Sequence, residues 1–170
     1  MRYKNKEDRE KAQNSGFTLL ELMVVIAIIG LLASIALIAL QSARAKSRDA
    51  KRLADMTQMN TGLQLYFADF KGYPSTTAGL PQALVPTYAS SLPSNPQPTD
   101  GSCTATNYPS PPTPVGSNGS NYYYFASGTA YLGADNTTMV YPDYAYFFCL
   151  GNQAGDFPAG LHVLTPEGVQ

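Results

Sequence analysis

The residue whose chemistry most needs a reason is Glu21. It stands at the front of a run, Leu22–Leu40, that contains no charged residue. As a helix that run would be about 29 Å long, close to the hydrocarbon thickness of a bilayer. A carboxylate near the membrane interior costs roughly 2.5–3.5 kcal/mol on insertion scales. Each Leu, Ile, Val or Phe in the run returns about 0.3–0.6 kcal/mol, so insertion tolerates the acid. An intramembrane acid usually has a partner, and nothing from Leu22 to Leu40 supplies a cation. Two readings follow. Glu21 meets a cation carried by another molecule, or it lies at the membrane interface and reaches water.

The residues before Glu21 bear on that choice. Met1–Gly16 is polar and carries five basic and three acidic residues. A secretory signal also begins basic and continues apolar, but its small-residue cut site follows the apolar region. Here the small residue, Gly16, precedes it. Cleavage after Gly16 would keep the helix and make Phe17 the new amino terminus. The string Gly16-Phe17-Thr18-Leu19-Leu20-Glu21, followed by an apolar run, resembles the processing site of type IV prepilins and of the pseudopilins of type II secretion. The resemblance implies a leader, Met1–Gly16, removed by prepilin peptidase, and methylation of the Phe17 amine. It implies that Glu21 meets the Phe17 amine of a neighbouring subunit, so that a membrane cost becomes an assembly signal.

The elements that must position these residues read as follows. The apolar helix spans 17–40, with Gly30 as its one glycine and no proline. Many type IV pilins have a proline where this chain has Ile38, and its absence suggests a more continuous helix. Gly30 itself also suits plain helix packing. From 41 to 71 the pattern becomes amphipathic, with Leu53, Met56, Asn60, Leu63, Phe67 and Phe70 at spacings of three and four. Lys51 with Asp55, and Asp49 with Arg52, are spaced for weak pairing. Gly72 and Pro74 stop the helix, and Lys71-Gly72-Tyr73-Pro74 again resembles the family. So does the stretch Ser75–Leu84, which resembles a loop with a short helical turn in the major pseudopilin.

The remainder, 72–170, reads as a globular head. Pro81–Gly119 is rich in Pro, Ser, Thr, Asn and Gly, and its Pro109–Pro114 run excludes a helix interior or central strand, leaving a long surface loop. Tyr122–Ala126 and Thr129–Leu132, separated by Ser127-Gly128, predict a β-hairpin. Tyr144–Leu150 predicts a third strand and Leu161–Thr165 a shorter fourth. The expected fold class is α+β. It is a pilin-like ladle: one long helix, its amphipathic half packed on an antiparallel sheet of three or four strands.

Cys103 and Cys149 are the two cysteines. Outside the cytoplasm such a pair is usually a disulfide, here closing a loop of about 46 residues and contributing roughly 3–4 kcal/mol in the chain-entropy account. Two separated cysteines and the single histidine, His162, lack metal-ligand spacing. Leu132-Gly133-Ala134-Asp135 resembles a turn near a calcium site in the major pseudopilin. Asp135, Asp143 and Asp156 do not have the spacing of a calcium loop, so solvated loop acids are the expectation and calcium the minor alternative.

No glycine-rich phosphate loop or nucleophile elbow is present, and His162 alternates within an apolar strand; a non-enzymatic protein without a cofactor is expected. Asn118 and Asn136 head glycan-acceptor triplets of a kind common by chance. Every Lys and Arg lies at or before Lys71, and five acids follow. The head therefore lacks the basic surface that nucleic acid requires.

The sequence thus predicts a structural subunit of a type IV pilus-like filament, polymerised through its apolar helix. The major pseudopilin of a type II secretion system is the second reading within that class. A single-span anchored binding domain that never polymerises is the competing class. Basic residues tie on the two flanks, with Arg2, Lys4, Lys6, Arg9 and Lys11 before the span and Arg44, Lys46, Arg48, Lys51 and Arg52 after it, so the positive-inside rule does not orient the helix. The resemblance does: leader inside, the rest outside, anchored in the cytoplasmic membrane before entering an extracellular or periplasm-spanning filament. It also implies the partners: further copies of the chain, prepilin peptidase, an inner-membrane assembly platform, and lipid before assembly.

Overall fold

The computed structural model describes residues 16–77, 79–99, 101, 103 and 122–170. Leader residues 1–15, Asp100 and the stretch 104–121, with the Pro109–Pro114 run and the Asn118 triplet, lie outside the described residues. By contact density the chain divides at Leu40 into two units, Met1–Leu40 and Gln41–Gln170. One helix, α1 (Leu19–Phe70), contributes to both. Its length follows from composition: no proline, and long stretches of Leu, Ile, Ala, Met and Gln with good helix propensity.

In the first unit every described residue is exposed, from Gly16 through Leu40. The helix there is long and apolar enough to cross a membrane. In the second unit α1 buries one face. Met56, Met59 and Leu63 are fully buried and Tyr66 nearly so. That line is one step round from the expected stripe: Leu53, Asn60, Phe67 and Phe70 flank it, half-buried. The shift has a physical cause. The expected stripe took in no charged position, whereas the buried line continues toward the membrane end through Arg52, Asp49 and Asp55.

The helix stops where expected. Lys71 takes a left-handed conformation, φ 61°, and its N–H donates back to Phe67 O at 2.8 Å. A bridge then pairs Tyr73 with Tyr141, and a short 3-10 turn follows at Gln82–Leu84.

The strands are β1 (Tyr123–Ser127), β2 (Tyr131–Leu132), β3 (Met139–Val140), β4 (Asp143–Leu150), β5 (Gly160–Thr165) and β6 (Gly168–Val169). They form an antiparallel four-stranded sheet, β1-β4-β5-β6, and a two-stranded ribbon, β2-β3. The hairpin predicted across Ser127-Gly128 does not form. β1 pairs instead with β4, in the register Tyr124↔Tyr146 and Ala126↔Tyr144. That pairing sets the buried residues of β1 beside those of β4 on one face. The ribbon strand β2 exposes both Tyr131 and Leu132 and has no such face to offer.

The core between sheet and helix is rich in tyrosine. Tyr73 packs edge-on against Tyr144 at 4.6 Å between centroids, and Tyr124 against Tyr146 at 5.6 Å. Such pairs add about 0.5–1.5 kcal/mol each beyond area burial. Two of the core hydroxyls find buried acceptors, Tyr124 donating to Pro74 O at 2.9 Å and Tyr122 to Asp55 Oδ2 at 2.8 Å.

Candidate processing and assembly site

Helix α1 begins with a reciprocal cap. Thr18 is the residue before the first helical position, and Glu21 lies three residues on. The Glu21 N–H donates to Thr18 Oγ1 at 3.2 Å, while Glu21 Oε2 accepts from the Thr18 N–H at 2.9 Å and from its hydroxyl at 2.8 Å. This is the capping-box arrangement of Thr-x-x-Glu, which satisfies helix-start donors in both directions. The signature is present in the sequence and supplies a local partner for Glu21 that neither the assembly nor the interface reading contains.

Among the described residues, nothing packs on the two residues before the cap. A Cβ on Gly16 would meet nothing within 4 Å, and Phe17 is 85% exposed. Neither the smallness of one nor the aromatic ring of the other serves packing among the described residues. Gly30 likewise borders open space. The exposed apolar surface continues along the helix through Leu40, uncovered among the described residues.

Past the apolar segment, α1 carries a buried ionic cluster. Asp49 and Arg52 pair with both side chains wholly inaccessible to solvent. Asp49 also accepts from the N–H of Gly151 at 2.9 Å, the N–H of Asn152 at 2.8 Å and the Asn152 side-chain amide at 3.0 Å. Arg52 donates from Nε to Asn95 Oδ1 and from Nη2 to Pro96 O, each at 2.8 Å. One ion pair therefore fastens the helix to two separate loops. Expected from its i,i+3 spacing as a weak pair, it is a fully desolvated one. The spacing reveals the pair, but its burial comes from loops about 45 and 100 residues away, which spacing does not encode.

Lys51 and Asp55 pair at the rim at 3.3 Å. Tyr122, donating to Asp55, has its phenol held un-ionised far above the ordinary range, first by burial and then by that bond. Cys103 is joined to Cys149 near the end of β4, beside the loop that grips Asp49. The approach there is close: a Cβ at Gly101 would collide with the Gly151 carbonyl.

The remaining candidates are dispersed. His162 is packed between the rings of Phe148 and Phe157, with Nε2 2.9 Å from Pro158 O and Nδ1 3.2 Å from Gln170 O. Asp135, Asp143 and Asp156 are exposed. Among the described residues no group of three or more His, Cys, Asp and Glu is placed to hold a metal ion.

Comparison with known proteins agrees with the position of the cap. The family described as "Prokaryotic N-terminal methylation motif" matches residues 11–37, a window that holds Gly16, Phe17 and Glu21. The chain is 43% identical to type II secretion system core protein G of Aeromonas hydrophila over 76 residues, 45% of this chain and 52% of that protein. It is 37% identical to the Vibrio cholerae protein of the same name over 90 residues, 53% of this chain and 58% of the relative. In those alignments it spans little more than half the relatives' length. The alignment to the Pseudomonas aeruginosa protein is longer: 35% identity over 126 residues, 71% of this chain and 79% of the relative. No solved structure matches the chain. With identity at that level over most of both sequences, the chain belongs to the family of type II secretion system core protein G.

Proposed function

We propose that this protein is a non-enzymatic pseudopilin, a structural subunit that polymerises into the filament of a type II secretion system. Prepilin peptidase cuts between Gly16 and Phe17 and methylates the freed amine of Phe17. Before assembly the helix of 17–40 anchors the subunit in the cytoplasmic membrane, leader inside. An inner-membrane platform then withdraws it, and lipid contacts are exchanged for packing among apolar helices of further copies. The Glu21 carboxylate exchanges its Thr18 cap for the Phe17 amine of a neighbour. The segments 41–71 and 72–170 form the part carried outside the membrane. No cofactor and no nucleic acid take part.

The observation that carries this reading is the pairing of two features at one helix start. Among the described residues nothing packs on Gly16 or Phe17, and behind them runs an apolar surface that those residues leave uncovered. Both are accounted for if other molecules read them, first a peptidase and then further subunits. A secretion filament is preferred to a surface pilus because the relatives carry the secretion name.

Intact-mass spectrometry of the protein from its host tests the proposal. The expected mass lacks Met1–Gly16 and carries one added methyl. An unprocessed chain would return the protein to the class of anchored domains that do not polymerise.

A further inference from the structure

The loop between β2 and β3 begins with Leu132-Gly133-Ala134-Asp135, whose resemblance to a calcium-site turn raises the question of what closes it. The described loop leaves little for a cation to bind. Asp135 Oδ1 accepts from the N–H groups of Thr137 at 3.0 Å and Thr138 at 2.9 Å. Its Oδ2 accepts from the Thr137 hydroxyl at 2.7 Å and from the Thr138 hydroxyl. Four neutral donors thus surround one carboxylate, and they hold its pKa well below the usual range, the Thr138 bonds first.

Four carbonyls nearby are engaged as well. Thr138 O accepts from the Gly133 N–H, Gly133 O from Asn136, and Phe70 O from Ala134. Lys71 O accepts from the Tyr131 hydroxyl. Calcium requires six to eight oxygens. Asp143, the next acid along the chain, turns Oδ1 to its neighbour's N–H at 2.7 Å. The residues present do not fit a calcium ion.

We infer that this chain closes its β2–β3 loop without a cation, with the hydroxyls and amides of Thr137 and Thr138 occupying the Asp135 oxygens that a metal would take. The closed loop has a definite task. Through Ala134 and Tyr131 it supplies donors to Phe70 O and Lys71 O at the C-terminal end of α1, where helix carbonyls lack partners of their own. Gly133 permits that approach, since a Cβ there would come within 2.9 Å of Phe70 O. The hydroxyls of a Thr-Thr pair therefore hold the end of the long helix in a family whose resemblance brought calcium into question. The inference rests on the hydrogen bonds of this loop and on family membership, not on the proposed filament. Its test reads metal binding and melting, neither of which depends on cleavage or filament formation.

The test uses the full chain in detergent micelles, stripped with EGTA. Calorimetric titration with calcium chloride should give no saturable heat, and the melting midpoint should be the same in EGTA and in millimolar calcium. The double variant Thr137→Val, Thr138→Val should melt a few degrees lower, and Thr137→Ser, Thr138→Ser, which keeps both hydroxyls, should melt near the parent. A resident cation would raise the parent's midpoint with concentration by mass action. That rise, or saturable heat abolished by Asp135→Asn, would overturn the inference. So would a valine variant as stable as the parent, or a serine variant as weak as the valine one.

Discussion

The two halves of helix α1 are inverted with respect to each other. From Leu19 to Leu40 the apolar side chains are outside and the one charge, on Glu21, is held by its own cap. From Gln41 to Phe70 charged side chains are among the most deeply buried residues, with Asp49 and Arg52 wholly enclosed. The usual rule of apolar inside and charged outside is broken twice, in opposite senses, and the two breaks have different meanings. Exposed apolar surface of that extent requires another apolar body to cover it. A buried ion pair requires that the chain itself supply every remaining hydrogen bond. The first half is incomplete without lipid or further copies, whereas the second is finished within one chain.

That contrast predicts where substitutions register. Ordered by their effect on the stability of residues 41–170, Arg52→Met comes first. It leaves Asp49 charged and enclosed, and breaking a buried pair from one side costs about 3–5 kcal/mol, a large part of a typical domain's stability. Urea unfolding followed by circular dichroism measures it. A loss below 1 kcal/mol, on the order of an exposed pair, would remove the claim that this half is closed by its own charges. Next is Cys103→Ala with Cys149→Ala. Opening a loop of 46 residues should cost roughly 3–4 kcal/mol, read as a lower midpoint that reducing agent no longer changes.

A third effect is silent at neutral pH. Burial raises the phenol pKa of Tyr122, Tyr124, Tyr144 and Tyr146. A raised folded-state pKa gives stability that is complete below the unfolded value, about 10 for tyrosine, and that is lost as pH rises beyond it. The head should therefore unfold in alkali in one step. Tyrosinate absorbance from the buried four should appear together with loss of circular dichroism, not before it.

Legibility in the sequence divides along the same line. The apolar half was readable because composition alone defines it, and the helix ended within a residue of the expected point because Gly72 and Pro74 are local signals. β4 and β5 were readable because each carries an apolar period long enough to recognise. The partner of β1 was not: Ser127-Gly128 has the chemistry of a turn, but pairing was decided by which strand could share a buried face. β3 and β6, at two residues each, are too short to carry any period. The Asp49–Arg52 cluster was legible as a spacing and illegible as a core, because its desolvation comes from Asn95, Pro96, Gly151 and Asn152. The Thr18–Glu21 cap is written in the sequence as Thr-x-x-Glu, a local pairing that the acid's place at the front of an apolar run obscures.

That cap gives the smallest expected change in stability and the sharpest division between the halves. Glu21→Gln removes the charge but keeps a carbonyl oxygen that can accept from Thr18, since glutamine also serves at this position of a capping box. Glu21→Ala removes both, with a local loss of up to about 1 kcal/mol at the helix start, on the scale of other N-terminal caps. Neither variant should shift the midpoint of the head, because among the described residues Glu21 bonds only to Thr18. Both should still enter the membrane, as losing a charge from the span only lowers the insertion cost. Filament yield separates them. If the charge meets a neighbour's amine, the glutamine and alanine variants lose assembly to the same extent. If capping is what matters, glutamine assembles like the parent and only alanine fails. Pelleting of sheared filaments, with processed monomer quantified in the same membranes, distinguishes the two; full assembly by the glutamine variant would leave Glu21 a purely local cap and end the role assigned to its charge.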